Sequence, residues 1–181
     1  ITLVLLVAGH WWQTRFDDQL VAPLALQDQA IDYALTDFTA EFFNLQGELD
    51  LIVQAPKLEH RADTRQAHID EPIFTLVNQA PTWHGEARTA LIDRNLEQIE
   101  LAGQVVARRA HENGEIQVES DRIRYDRNSE LLHSPGPARL SQPGTELRGD
   151  TLTVWLNEQR AELEHDVQGT YRRIAGDGPI N

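Results

Sequence analysis

Along most of the chain apolar and polar residues alternate one by one, the period of a half-buried strand rather than of a helix. Leu49, Leu51, Val53 and Ala55 fall on one face of such a strand, and Glu48, Asp50, Ile52 and Gln54 on the other, which is mostly polar. The alternation returns at Ile99, Leu101, Gly103 and Val105, at Ile116 and Val118, and at Leu152, Val154 and Leu156. It runs on from Ala161 through Leu163, His165, Val167 and Gly169 to Tyr171. Helical spacing is weak throughout this part of the chain.

Turn-forming residues punctuate the pattern. Asp93-Arg94-Asn95, Asp126-Arg127-Asn128 and Asn157-Glu158-Gln159 each follow an alternating segment, and Asp63 holds a comparable place earlier. Their spacing of roughly 30 residues predicts stacked units of two strands and two turns, each burying its apolar face only against its neighbours. The expected fold is therefore all-β: an elongated, open-ended β-jellyroll or β-solenoid of stacked antiparallel strand pairs, preceded by an N-terminal transmembrane helix. Its inward residues are small to medium aliphatics, which suit either a sealed core or a slot that admits something oily.

The helix is expected from the first residues, where Ile1 to Gly9 are almost wholly apolar and Trp11 and Trp12 sit where an interfacial aromatic belt belongs. A membrane crossing needs about 20 residues, so this reads as the exit end of a span that begins upstream. Val7-Ala8-Gly9 also resembles a signal-peptide cleavage region, but the paired tryptophans favour an anchor. Arg15, Asp17 and Asp18 give the following flank no basic excess, as expected on the translocated side. Residues 1–15 are thus expected to end an anchor, 16–32 to form a linker around Pro23, and 33–181 to make one periplasmic domain.

A formal net charge of -13 argues against nucleic acid, because a phosphate backbone would meet no basic patch. The chain has no cysteine, which removes disulfides, thiol catalysis and cysteine zinc sites from consideration. His60 and His68 lack a third ligand at a usual metal spacing, and no H-E-x-x-H occurs. None of the serines lies in a G-x-S-x-G elbow. Gly144-Thr145-Glu146-Leu147-Arg148-Gly149 opens like a phosphate loop, but Asp150 stands where its lysine belongs. His165 reads as a hydrogen-bonded interior residue. No metal, cofactor or catalytic residue is expected, and the chain is not expected to be an enzyme.

An ordered series of short motifs adds to this. Asp37-Phe38, Phe43-Asn44-Leu45-Gln46-Gly47-Glu48-Leu49, Ala55-Pro56-Lys57-Leu58-Glu59-His60, Pro72 and Trp83 come first. Leu101-Ala102-Gly103-Gln104-Val105-Val106, Leu147-Arg148-Gly149 and Val167-Gln168-Gly169-Thr170-Tyr171 follow. In that order and spacing the chain resembles the LptC family, the membrane-anchored component of the lipopolysaccharide export bridge. No single motif is strong; the series carries the resemblance.

The resemblance implies a single-pass protein of the cell inner membrane with its folded domain in the periplasm. It would take lipopolysaccharide from an ABC transporter made of LptB, LptF and LptG, and pass it to periplasmic LptA. The inward residues expected to line a lipid groove are Phe38, Leu49, Leu51, Val53, Ile69 and Phe74, together with Leu76, Ile99, Leu101, Val105, Val118 and Ile123. The edge near Tyr33 and Phe43 would dock on LptF and LptG, and the edge with Ala161, Leu163, Val167 and Tyr171 would accept LptA. An acidic surface should repel the anionic sugar and phosphate portion, which favours entry of the tails alone. Two other readings stand beside this one: a free periplasmic carrier of LptA type, and a jelly-roll glycan-binding or glycan-cleaving protein. Against the second, Trp83 and Trp155 are far apart in sequence.

Overall fold

A computed structural model of the chain describes residues 31–44, 46–77, 79–112 and 114–172. The expected anchor and nearly all of the expected linker lie outside the described residues. Among those described, no helix is long and apolar enough to cross a membrane.

The described residues form fourteen strands, all paired antiparallel. They are β1 (Ile31–Phe43), β2 (Leu49–Arg61), β3 (Gln66–Asp70), β4 (Ile73–Leu76), β5 (Trp83–Glu86), β6 (Thr89–Ile92) and β7 (Gln98–His111). β8 (Gly114–Asp126), β9 (Leu131–Ser134), β10 (Ala138–Gln142), β11 (Thr145–Gly149), β12 (Thr151–Trp155), β13 (Arg160–Glu164) and β14 (Gln168–Tyr171) complete the series.

The pairings trace one continuous sheet folded into two layers. In the first layer the order is β1-β2-β3-β6-β7-β8-β9-β12-β13. In the second it is β1-β2-β4-β5-β7-β8-β10-β11-β14. The long strands β1, β2, β7 and β8 serve both layers, and the short ones serve one each. Of the two arrangements that the alternation and turn spacing allow, this is the jellyroll.

The chain changes layer through local backbone devices that recur with the sequence period. In β7, Gly103 and Gln104 take left-handed φ values of 78° and 52°, and the register with β8 slips by one residue between Ala102 and Val105. This is a β-bulge, which bends the strand and sharpens its twist. In β2 the buried residues run Leu51, Val53, Ala55 and then Leu58, so the inward phase shifts across Pro56, which cannot donate to a ladder. Between β3 and β4 the corner is turned at Glu71 (φ 46°), and between β13 and β14 at His165 and Asp166 (φ 61° and 46°). On the opposite rim, left-handed Arg65, Leu96, Glu130 and Gln159 close the turns after β2, β6, β8 and β12.

Two expectations are corrected here. The alternating run from Ala161 to Tyr171 is not one strand: it breaks at the His165-Asp166 corner into β13 in the first layer and β14 in the second. His165 is therefore exposed rather than an interior residue. Asp50, placed by alternation on the outer polar face of its strand, is buried at 4% exposure. It lies at the rim, where the turn after β8 crosses over the start of β2 and supplies a partner.

Side chains line up across the strands in rungs. In the first layer His60, Ala67, Ile92, Ile99, Tyr125, Leu132, Val154 and Ala161 are successive cross-strand partners. In the second the run is Val53, Phe74, Gly85, Ala107, Val118, Leu140, Leu147 and Gly169. At about 4.8 Å per strand each rung extends for roughly 35 Å. The Phe74 ring lies so close over Gly85 that a Cβ there would come within 2.1 Å of it. Glycine at that position is thus a packing requirement.

Candidate functional site

The inner faces of the two layers enclose an apolar core. Ten of the twelve residues expected to line a groove are buried in one contiguous core: Leu51, Val53, Ile69, Phe74, Leu76, Ile99, Leu101, Val105, Val118 and Ile123. Phe38 packs against that core, and Leu49 is half-buried at the rim. The alternation therefore assigned the inward face well, although it missed Trp83 and Tyr125, so the interior is not purely aliphatic.

The two halves of this core differ. In the N-terminal half, Leu51, Val53, Phe74 and Leu76 of the second layer meet Ile69, Ile92, Ile99, Leu101 and Tyr125 of the first around a void of only about 20 Å³. That is room for a water molecule and little more. Burial pushes the Tyr125 phenol well above its ordinary range, and the nearby Asp50 charge acts in the same direction. It stays protonated, and its buried hydroxyl has no protein partner among the described residues.

Over this half the rim is clasped. Arg127, in the turn after β8, donates through Nε and Nη2 to Asp50 Oδ2 at 3.2 and 2.9 Å. It also donates to the carbonyls of Leu96 (2.8 Å) and Phe43 (3.2 Å), and its guanidinium lies 5.3 Å from the centre of the Phe42 ring. One side chain of the first layer thereby ties down the start of β2, the end of β1 and the turn before β7. Close by, Gln79 of the loop between β4 and β5 donates to Glu130 at 3.0 Å, again from layer to layer.

In the C-terminal half the rim opens into a cavity of about 170 Å³. Trp83, Ile116, Val118 and Leu140 of the second layer face Val154, Trp155 and Leu156 of the first across it. Trp83 and Trp155, distant in sequence, thus share one cavity. Arg109 stands over Trp83, 5.3 Å from the ring centre, and on the opposite lip Arg160 lies 3.6 Å from that of Trp155. Along the corner side runs a wider cleft of about 1270 Å³ with a charged lining that includes Glu71, Glu86, Arg88, Asp121, Arg139 and Asp150. There Ser134, buried at the corner, bonds the Ser120 hydroxyl at 2.7 Å and the Gly136 carbonyl at 2.8 Å.

Both ends of the folded sheet are strand edges. At the first, β1 exposes Ile31, Tyr33, Leu35 and Phe43. Tyr33 stacks on His60 with ring centres 4.7 Å apart, and Asp32 pairs with the same imidazole at 2.6 Å. The His60 contact holds the Asp32 carboxyl below its ordinary range. At the far end Ala161 and Leu163 lie on β13, Tyr171 on β14, and Val167 just after the corner between them. Tyr171 is 76% exposed.

Sequence reasoning missed the clasp and the charged mouth. Arg109 was legible, because it continues the inward phase of Val105 and Ala107. Asp50 and Arg127 were not, since the contact joins residues far apart in the chain and one of them sits in a turn.

No curated protein matches this chain. Among solved structures, the chain is similar to LptH, the LptA-homologous periplasmic component of the lipopolysaccharide transport device from Pseudomonas aeruginosa. The TM-score is 0.56 at 13% sequence identity, with 68% of this chain and 95% of that one covered. At that identity the likeness speaks for the fold. The model of the lipopolysaccharide-assembly, LptC-related family matches residues 1–172, and the chain belongs to that family.

Proposed function

We propose that this protein carries lipopolysaccharide by taking its acyl tails between the two layers, receiving it at the β1 edge and releasing it at the β13/β14 edge. Family membership places the chain in lipopolysaccharide transport. The observation that carries the finer reading is the pair of rungs, which from Ala67 to Ala161 in one layer and from Val53 to Gly169 in the other carry only apolar, tyrosine or glycine residues. Exposing one methylene to water costs about 0.8 kcal/mol, so a ten-carbon stretch of a single tail costs roughly 8 kcal/mol. A slot with apolar walls along its length removes that cost at each position of a moving tail, with no directional bond to break.

The donor in this scheme is the inner-membrane ABC transporter of LptB, LptF and LptG, and the acceptor is LptA. The edges suit those roles, because an unpaired strand offers backbone N–H and C=O groups to an incoming strand. Anchoring in the inner membrane through residues 1–15, with the domain in the periplasm, belongs to the same proposal. The tight N-terminal half implies that the layers part when a tail enters, which gives the rim clasp a place in the cycle. No step of this scheme needs catalysis or a cofactor.

The test is photo-cross-linking to lipopolysaccharide with a photoreactive residue at Leu101 in one sample and at Glu100 in the other. Leu101 is buried, whereas Glu100 lies on the outer face and pairs with Arg122 and Arg124. An adduct at Leu101 and none at Glu100 is the expected result. Equal labelling, or none at either position, would mean that the interior is a closed core.

A further inference from the structure

We infer that Arg109 is an anion-holding residue at the mouth of the slot, which receives a phosphate of the acylated glycolipid whose tails enter beside it. This rests on the carrier reading above and adds to it a residue and a recognised group.

The inward phase of β7 runs Val105, Ala107, Arg109, with the first two at 1% and 2% exposure. Arg109 is flanked on that face by its cross-strand partners Trp83 and Ile116. Its Nε is out of contact with solvent and has no hydrogen-bond acceptor, and no carboxylate pairs with it among the described residues. Its neighbour Arg108, on the outer face, reaches Glu86, Glu115 and Gln117. Arg160 on the opposite lip is held by Glu158 and Glu162 at 3.0 and 3.2 Å.

The chain has 29 acidic residues against 16 Lys and Arg, and among the described residues eight of the thirteen arginines pair with an acid. An inward arginine left without one, beside a cavity of about 170 Å³ with apolar walls, has its donors available to an anion brought from outside. A guanidinium offers a planar fork that fits two oxygens of a phosphate, and its stacking on Trp83 keeps that fork in place. The acidic exterior repels the rest of an anionic head, so a single cation inside the mouth also sets direction: phosphate at the rim, tails inward. Entry is then not by tails alone, as the net charge suggested.

The experiment compares binding of lipid A carrying both phosphates with the same lipid A after enzymatic removal of both, by displacement of a fluorescent acyl probe from the full chain. The wild type should prefer the phosphorylated form. Arg109→Gln should weaken that form on the order of tenfold and leave the dephosphorylated form unchanged. Arg109→Lys keeps the charge without the fork and should retain part of the preference, which also decides the matter should the glutamine variant fold poorly. A wild type with no preference, or a preference unchanged in both variants, overturns the assignment and leaves Arg109 as a packing partner of Trp83. A wild type that binds neither lipid overturns the carrier reading instead.

Discussion

Removing Arg127 should cost far more stability than removing a surface arginine. Its side chain is 13% exposed and that of Asp50 6%, so the pair is shielded from water on both sides. Arg127→Ala removes four hydrogen bonds, two to the Asp50 carboxylate and one each to the Leu96 and Phe43 carbonyls. It also leaves a buried carboxylate without its counter-charge. Breaking one side of a buried pair costs about 3–5 kcal/mol, whereas replacing both sides with apolar residues is often close to neutral. Asp50→Leu combined with Arg127→Met should therefore be less destabilised than Arg127→Ala, and the single variants Asp50→Leu and Arg127→Met complete the cycle that measures the coupling. Urea unfolding of the whole chain, followed by tryptophan fluorescence, reads both, with an unchanged m-value showing that the same surface is exposed. A loss below about 1 kcal/mol in Arg127→Ala is what an exposed ion pair gives. It would mean that water reaches Asp50 and that the rim is not sealed there. If the clasp holds the layers together, the same variant should label faster from Leu101 in the cross-linking experiment.

Two further outcomes follow from the packing and the edge. Gly85→Val places a side chain where the Phe74 ring lies and should cost about 1–3 kcal/mol of overpacking; combined with Phe74→Ala the loss should be smaller than the sum of the two single losses, and additive losses in thermal unfolding would place the clash elsewhere. The lowered Asp32 carboxyl gives the β1 edge an acid dependence. A depressed folded value stabilises fully above the unfolded one near 3.9 and is lost as pH falls through the lower folded value. The wild type should accordingly lose stability more steeply than Asp32→Asn between roughly pH 5 and pH 2, and parallel curves would refute the contribution of the His60 contact.

What could be read from the chain and what could not divides along a physical line. A half-buried strand writes its inward face into every second residue, so Leu51, Val53, Leu101 and Val118 were found from alternation alone, and the roughly 30-residue period gave the stacked units. The signal failed where the strand itself stops being regular. Alternation carried straight through His165, because a corner built from two left-handed residues leaves side-chain polarity unchanged while turning the backbone by its φ angles. Asp50 failed for another reason: its polarity marks solvent only if no partner waits for it, and its partner lies 77 positions away in a turn. Polar residues on an otherwise regular strand are thus where local reading is weakest. Asp50 with Arg127 closes one half of the rim, and Arg109 stands in the open half. In the proposed carrier an apolar wall would hold any tail, so the distinction between holding and releasing, or between one head group and another, would fall to those few charges. They are positions that a purely packing-driven sheet would have no reason to keep polar.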